Sequence, residues 1–471
     1  MELKDSLSQY TIKSNLIVLN CAILGANEIE LWNTFYDNVK NTHNIIFFTT
    51  NTHHHLKIPN TIKISYGIND FTLFDDLQKF DKFPFLHEIA EYDKIWEAFD
   101  SENSYQKALS WHIYWLLILK LYTPVGIYIW NGYHIPEVAL SKITDDFGIE
   151  KFYVERGPFA NTFACDSTGI NYNSSFVNEY INFETVTNSN RVTDFSNLYI
   201  KRTISNWSQP TQYKTKIEFF DKYNIPKDKL VIFFPSQVDR DSNSKIFAPH
   251  YASVFEAYAD IVKTLANHKS EVFLLAKKHP MQETEQDFID LKFSHGKWIE
   301  DAHIFDCIKY ADAIISINSS AAVEASIYRK PILLLGNSIL EHNSKILKIS
   351  SRDDLQLKIS KLISSAKKNI NNTDYSYLSK LLFGYLYTPL PEYEAMGVKS
   401  IKSFPIPNHS SKKKPHYLSE LEEMALTKLS SKLAENNPPH NTKQDINFYQ
   451  WVSYIKTIPR KFIDLVKKIQ Y

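Results

Sequence analysis

The chain has 471 residues, 44% of them hydrophobic and 14% aromatic, enough to bury the cores of two ordinary domains, so an intrinsically disordered chain is excluded. Lys and Arg number 53 and balance 53 Asp and Glu, so no global field favours nucleic acid and any anionic ligand must be held by local groups. Cys21, Cys165 and Cys307 are widely spaced and form no CxxC pair, which argues against a disulfide framework or zinc site and fits a reducing cytoplasm.

The opening MELKDSLSQYTIKSN is too polar for the core of a secretory signal, and no later segment offers about 18 uninterrupted apolar residues. A cytoplasmic protein with no bilayer span of its own is expected. Leu16 to Leu24, a polar helix-like stretch and then Ile45 to Phe48 read as strand, helix, strand. Tyr105 to Leu121 has helical period, and Gly126 to Trp130 reads as a buried strand ending in Trp130-Asn131-Gly132, a natural ligand-facing turn. Phe152 to Val154 leads into Glu155-Arg156-Gly157-Pro158 and a polar loop that carries Asn161, Asp166 and Asn171. A glutamate just past a strand suits a general acid or base, against the plainer reading of a charge at a strand end.

The polar stretch around 187 to 228 reads as a crossover. A second series follows: Leu230 to Phe234 as a strand, Ala248 to Asn267 as a helix, Glu271 to Ala276 as a strand, Ala313 to Ile317 as a strand, Ala321 to Tyr328 as a helix and Pro331 to Leu335 as the closing strand. Behind the first of these strands, Gln237, Asp239, Arg240, Asp241 and Asn243 concentrate polar groups, and a carboxylate there can act at a reacting sugar carbon. Lys277-Lys278-His279-Pro280 sits at the carboxyl end of the next strand, where open α/β sheets bind ligands and an imidazole can donate to a phosphate or protonate a leaving group. Asn318-Ser319-Ser320 opens a helix whose N-terminal amides form an anion site, unless the serines only cap it. Glu300 and Asp301 can accept from ribose hydroxyls or simply favour the helix at Ile304 to Tyr310.

After about residue 365 strand signals fade, and Ser410 to Pro415 reads as part of a linker or accessory region. Trp451 to Tyr471 mixes apolar and basic residues and can lie on an anionic membrane surface or pack as a C-terminal helix. The expected organisation is residues 1–215, 216–365 and 366–471: two doubly wound Rossmann-type domains facing a cleft, then a helical extension.

These motifs in this order, WNG at 130, ERGPFANTFACDSTGIN at 155, PSQVDRDSN at 235, KKHP at 277 and INSSAAVEA at 317, resemble the capsule polysaccharide biosynthesis family, the bacterial β-Kdo transferases of capsule and lipopolysaccharide assembly. The resemblance covers roughly residues 120 to 340 and implies a GT-B-like α/β fold, with the C-terminal block holding CMP-Kdo and the N-terminal block presenting a glycan or glycolipid acceptor. It implies His279, with Lys277, Lys278 and Pro280, at the donor phosphate, and Asn318, Ser319 and Ser320 around it. Gln237, Asp239 and Glu300 join the donor side. Glu155 is implied as the acceptor's base, and Asp241 as the nucleophile of a retaining double displacement, with Asp239 competing for that role. Asn131, Arg156, Asn161, Asp166, Asn171 and Arg240 are implied on the sugar or acceptor side, with Arg156, Arg240 or Lys245 meeting the donor carboxylate. This chain departs from several family members at Gly157-Pro158-Phe159-Ala160-Asn161, beside the acceptor side. A CMP-linked sugar needs no metal and no cofactor, because it carries its own activated bond. The same fold also accommodates another CMP-activated nonulosonic acid or a CDP-polyol as donor, and a second alternative is a non-catalytic scaffold of a capsule assembly complex, against which Glu155, Asp241 and His279 together argue. Peripheral contact with the inner membrane or a capsule assembly complex is a further expectation.

Overall fold

The computed structural model describes residues 13–21, 24–51, 53–64, 84–97, 101–184, 189–202, 209–282, 288, 291, 293–368 and 373–407. Backbone contacts divide the chain into two compact units, residues 1–152 with 405–471 and residues 153–404.

In the first unit the strands are β1 (Ser14–Asn20), β2 (His43–Thr49), β3 (Thr61–Lys63) and β4 (Gly126–Trp130), and the helices are α1 (Ala26–Val39), α2 (Pro84–Glu97), α3 (Ser101–Tyr122) and α4 (Ile135–Phe147). All neighbouring strands pair in parallel in the order β3-β2-β1-β4. Leu16 to Leu19 are buried throughout, as a strand covered on both faces requires. The helix-like stretch expected after the first strand is α1, which buries Trp32 against Phe47 of β2 and Phe35 against Tyr128 of β4. α3 is the longest helix here at 22 residues, yet among the described residues no helix is long and apolar enough to cross a membrane.

The boundary between the units falls inside β5 (Glu150–Arg156). The second unit continues with β6 (Phe163–Asp166), α5 (Ser175–Asn178), α6 (Ser189–Arg202), α7 (Lys216–Tyr223), β7 (Leu230–Pro235), α8 (Ser242–Lys245), α9 (Val254–Leu265), β8 (Val272–Lys277) and β9 (Gly296–Ile299). Then come α10 (Ile304–Tyr310), β10 (Ala313–Ser316), α11 (Ser320–Ile327), β11 (Ile332–Leu334), β12 (Leu347–Lys348) and α12 (Leu355–Lys367). Last are α13 (Tyr375–Ser379), β13 (Tyr387–Thr388), α14 (Pro391–Met396) and β14 (Lys399–Ser400).

Its main sheet is parallel in the order β9-β8-β7-β10-β11-β12, so the chain reverses direction across the sheet between β7 and β10. That reversal opens a crevice at the carboxyl ends of both strands, the usual ligand position of this α/β class. Along β7 the side chains alternate between two cores: Val231 and Phe233 join one, Ile232 and Phe234 the other. α9 covers the second core with Val254, Ala257, Tyr258, Ile261, Val262 and Leu265, a helical stripe. The helix expected from Ala248 begins instead at Val254, because Pro249 interrupts and Ser253 caps, its hydroxyl accepting from Glu256 N at 3.1 Å.

The expected boundaries at 215 and 365 lie inside the second unit. The expected crossover holds α6 and α7, which bury Val192, Phe195, Tyr199, Phe219, Phe220 and Tyr223 in the aromatic core. Residues 373–404 are not a linker. Tyr377, Leu378, Leu381, Leu382, Tyr385 and Tyr393 enter the same core, and Tyr387 of β13 pairs with Phe163 of β6. Asn, Ser and Lys between those residues had masked the apolar content. The Lys-rich segment at 410 to 415 and the basic stretch from Trp451 lie outside the described residues.

Candidate active site

Three strand ends of the second unit build one pocket. Pro235 and Ser236 end β7, Lys277, Lys278, His279 and Pro280 end β8, and Ser319, Ser320 and Ala321 open α11 after β10, with Gln209, Ile304 and Glu324 completing the lining. It holds about 70 Å³, well below the roughly 300 Å³ at which a pocket encloses a whole ligand, so it suits the phosphate end of a nucleotide. Lys277 is buried, donates from Nζ to the Lys278 carbonyl at 3.1 Å, and burial lowers its pKa. Lys278 reaches the exposed Glu300 at 3.6 Å, so that glutamate is an ion-pair partner of the basic wall.

His279 is half-buried, and its Nδ1 accepts from Met281 N at 3.1 Å. Burial first, and then the Lys277 charge, lower its pKa to about 4. The resting ring is therefore neutral at pH 7 with its proton on Nε2, a hydrogen-bond donor rather than a stored acid. Ser319 is the N-cap of α11, its Oγ accepting from Ala321 N at 3.3 Å, and Ser320 is the exposed first helical residue. Donors from a dipole and from lysines thus line opposite walls.

Gln237 and Asn318 do not line this pocket; they hold its walls together. Gln237 Nε2 donates to Asn318 Oδ1 at 2.9 Å, Asn318 N donates to Gln237 Oε1 at 3.1 Å, and Asn318 Nδ2 reaches the carbonyls of Asn243, Phe247 and Asn337. Both residues are buried, so removing one amide orphans several polar groups. Asn318→Ala is expected to lower the stability of this unit by about 3 kcal/mol, since each orphaned buried group costs about 1–3 kcal/mol. Urea denaturation followed by Trp fluorescence reads it, with the exposed Ser320→Ala as the control that stays within about 0.5 kcal/mol of wild type.

Asp239 and Asp241 separate by task. Asp239 Oδ1 accepts from Val254 N at 2.7 Å and anchors the loop to the first turn of α9. Asp241 caps the short α8, with Oδ1 accepting from Asn243 N at 2.8 Å. Its side chain is open to solvent yet crowded by surrounding protein. That crowding raises its pKa, opposed by the Asn243 hydrogen bonds and by the charge of Arg156. Arg156 comes from the end of β5, so the structure brings the Glu155-Arg156 segment and the Asp241 loop into one electrostatic neighbourhood. The half-buried Glu155 accepts from the Arg156 amide through Oε1 at 2.8 Å.

The remaining sugar-side candidates divide. Asp166 is buried and fully engaged in its own loop: Oδ1 accepts from Thr168 N, Thr168 Oγ1 and Gly169 N, and Oδ2 from Ser175 N and Oγ. It pins that loop to the start of α5. Asn161 (φ 60°) and Asn171 (φ 52°) take left-handed turn positions, which asparagine tolerates. Asn161 is buried and its carbonyl accepts from Thr388 Oγ1 at 2.8 Å. Asn171 stays half-buried, while Arg240 and Lys245 are exposed beside Asp241 in the chain. Asn131 (φ 63°) ends β4 in the first unit, apart in the chain from the others.

Sequence reasoning passed over Glu324 and Tyr199. Glu324 is 8% exposed, lines the same pocket, and has its pKa raised to about 8 by burial, opposed by a hydrogen bond from Tyr199. Its only sequence signal was a carboxylate on the buried side of an otherwise apolar helix, SAAVEASI. The first unit also carries a groove of about 620 Å³ at the start of α1, lined by Glu30, Asn33, Asp37, His53, His54, His55 and Lys57 among others. Among the described residues no group of three or more His, Cys, Asp or Glu is placed to hold a metal ion.

Residues 166–343 match the family described as capsule polysaccharide biosynthesis protein, a stretch that includes the Asp241 loop, the His279 turn and the Ser319-Ser320 helix start. Among curated proteins the chain is similar to Protein FixF of Sinorhizobium fredii (strain NBRC 101917 / NGR234), 24% identical over 227 residues. The match covers 47% of this chain and 51% of FixF, so the chain spans about half the length of that relative. Among solved structures it is similar to Thermosulfurimonas dismutans KpsC, β-Kdo 2,7 transferase, at 11% identity, 87% of this chain, 99% of that chain and a TM-score of 0.42. It is also similar to S. aureus MnaA in its UDP co-structure, at 13% identity, 78% and 94% coverage and a TM-score of 0.40.

Proposed function

We propose that this chain, whose residues 166–343 carry the pattern of capsule polysaccharide biosynthesis proteins, transfers Kdo from CMP-Kdo to a glycan or glycolipid acceptor. The observation that carries the reading is the small pocket of Lys277, Lys278, His279 and the Ser319-Ser320 helix start, with the Arg156–Asp241 pair on the same unit. The pocket takes the CMP phosphate, whose developing charge is met by lysines, helix amides and the His279 Nε2 proton. Asp241 attacks the anomeric carbon as the bond to the phosphate oxygen breaks, and CMP departs with the bonding electrons. The acceptor hydroxyl then displaces Asp241 while Glu155 takes its proton, and two inversions give retention. No step calls on a metal or cofactor.

The test uses purified full chain, CMP-Kdo and a panel of glycolipid acceptors, with CMP release and product mass as readouts. A Kdo-bearing product is expected. Turnover of CMP-sialic acid or a CDP-polyol without turnover of CMP-Kdo would replace the sugar assignment. CMP binding without turnover of any donor would favour a scaffold.

A further inference from the structure

The phosphate pocket and the Glu155 segment are joined by a buried polar chain inside an aromatic core. Glu324, on α11, lines the pocket, and its Oε1 accepts from the Tyr199 hydroxyl at 2.6 Å. The same hydroxyl oxygen accepts from Ala160 N at 3.1 Å. Ala160 belongs to the turn that follows Glu155 and Arg156, closed by Gly157 N donating to Thr162 O at 2.7 Å and by Thr162 Oγ1 donating to Phe159 O at 2.7 Å. A Cβ on Gly157 would meet Thr162 Oγ1 at 2.2 Å, so this closure leaves no room for a side chain.

Tyr199 is 1% exposed on α6, its ring packed against Phe159 and Phe305 at centroid distances of 5.4 and 5.7 Å. Phenylalanine would fill that space without burying a hydroxyl, whose desolvation must be repaid by good partners. Here the one hydroxyl meets two elements that are far apart in sequence. Burial raises the phenol's pKa well above its ordinary value, so it stays protonated and keeps donating to Glu324.

We propose that Tyr199 is a positioning residue that ties the Glu155–Thr162 segment to the phosphate pocket through Glu324. Glu324 sees the donor phosphate end, Ala160 fixes the turn, and the turn fixes Glu155 and Arg156 at the end of β5. The kinetic part rests on the transferase reading above; the structural part does not.

The test compares wild type, Tyr199→Phe, Glu324→Gln and Glu324→Ala as full chains, by amide hydrogen exchange of the 157–162 peptide without ligand and by steady-state transfer from CMP-Kdo. Tyr199→Phe is expected to speed exchange in that peptide by about tenfold, the scale of one net hydrogen bond. It should also lower kcat by about ten- to a hundredfold, as misplaced groups do, with donor KM within about twofold. Glu324→Ala should speed the same exchange although it leaves Tyr199 and Ala160 in place, and Glu324→Gln, which still accepts from the phenol, should restore protection. Wild-type exchange in Tyr199→Phe, or faster exchange spread over the whole second unit, overturns the proposal, as does protection in Glu324→Ala. If wild type transfers no Kdo, the functional reading falls and the exchange comparison alone decides the role of Tyr199.

Discussion

Asp241→Asn is expected to lower kcat for sugar transfer by on the order of 10⁴-fold, the scale of losing a covalent nucleophile, with CMP affinity within about twofold of wild type. An amide matches the carboxylate in shape and can still accept from Asn243 N through its oxygen, so the α8 cap survives while nucleophilicity is lost. Asp239→Asn is the comparison, because its oxygen can still accept from Val254 N and it is expected to retain most activity. The reverse ranking in single-turnover assays would move the nucleophile to Asp239.

The pH dependence follows from the same geometry. Asp241 must be ionised to attack, and crowding raises its pKa while Arg156 lowers it. The acid limb of kcat/KM should therefore lie above the usual aspartate range, and Arg156→Gln should move it higher still. For stability the sign is opposite. A carboxyl whose folded pKa is raised binds protons more tightly in the native state, so its contribution is full below the unfolded pKa and is lost as pH rises through the folded one. Asp241→Asn should thus be no less stable than wild type at pH 7, which separates lost chemistry from lost fold.

His279→Ala is expected to lower kcat by about 10²- to 10³-fold, the cost of one preorganised donor to a developing charge. The Met281 amide holds Nδ1, so the neutral ring offers Nε2–H, and His279→Gln, whose amide also donates, should recover part of the rate. Because the free-enzyme pKa lies near 4, kcat/KM should show no His279 limb between about pH 5 and 8. A limb in that range that disappears in His279→Gln would instead make the histidine a proton donor in the free enzyme.

Much of this was legible along the chain. Runs such as Leu230 to Phe234 and Ala313 to Ile317 read as strands buried on both faces, and the polar residues after each then lie at the ligand edge of a parallel sheet. Ser319 before a helical run announces a cap, and Lys277-Lys278-His279 after a strand announces a basic turn. Local period and local caps are properties of neighbouring residues, so sequence suffices for them.

Which polar groups face a ligand is a property of distant ones. Gln237 and Asn318 look like binding residues until they are found bonded to each other across 81 positions, and Asp166 until five donors from its own loop fill its oxygens. Glu324 and Tyr199, 125 positions apart, carry no motif because their meaning is one hydrogen bond between α6 and α11. The polar spacing of residues 373–404 likewise hid a folded segment whose Tyr and Leu side chains find their core only in three dimensions. The sequence by itself determined the strands, the helix starts and the basic turn, because those depend on backbone preference and side-chain period. Only the tertiary structure decided which carboxylates and amides brace the site and which remain to act, because a polar group's task is set by the partners that burial brings to it.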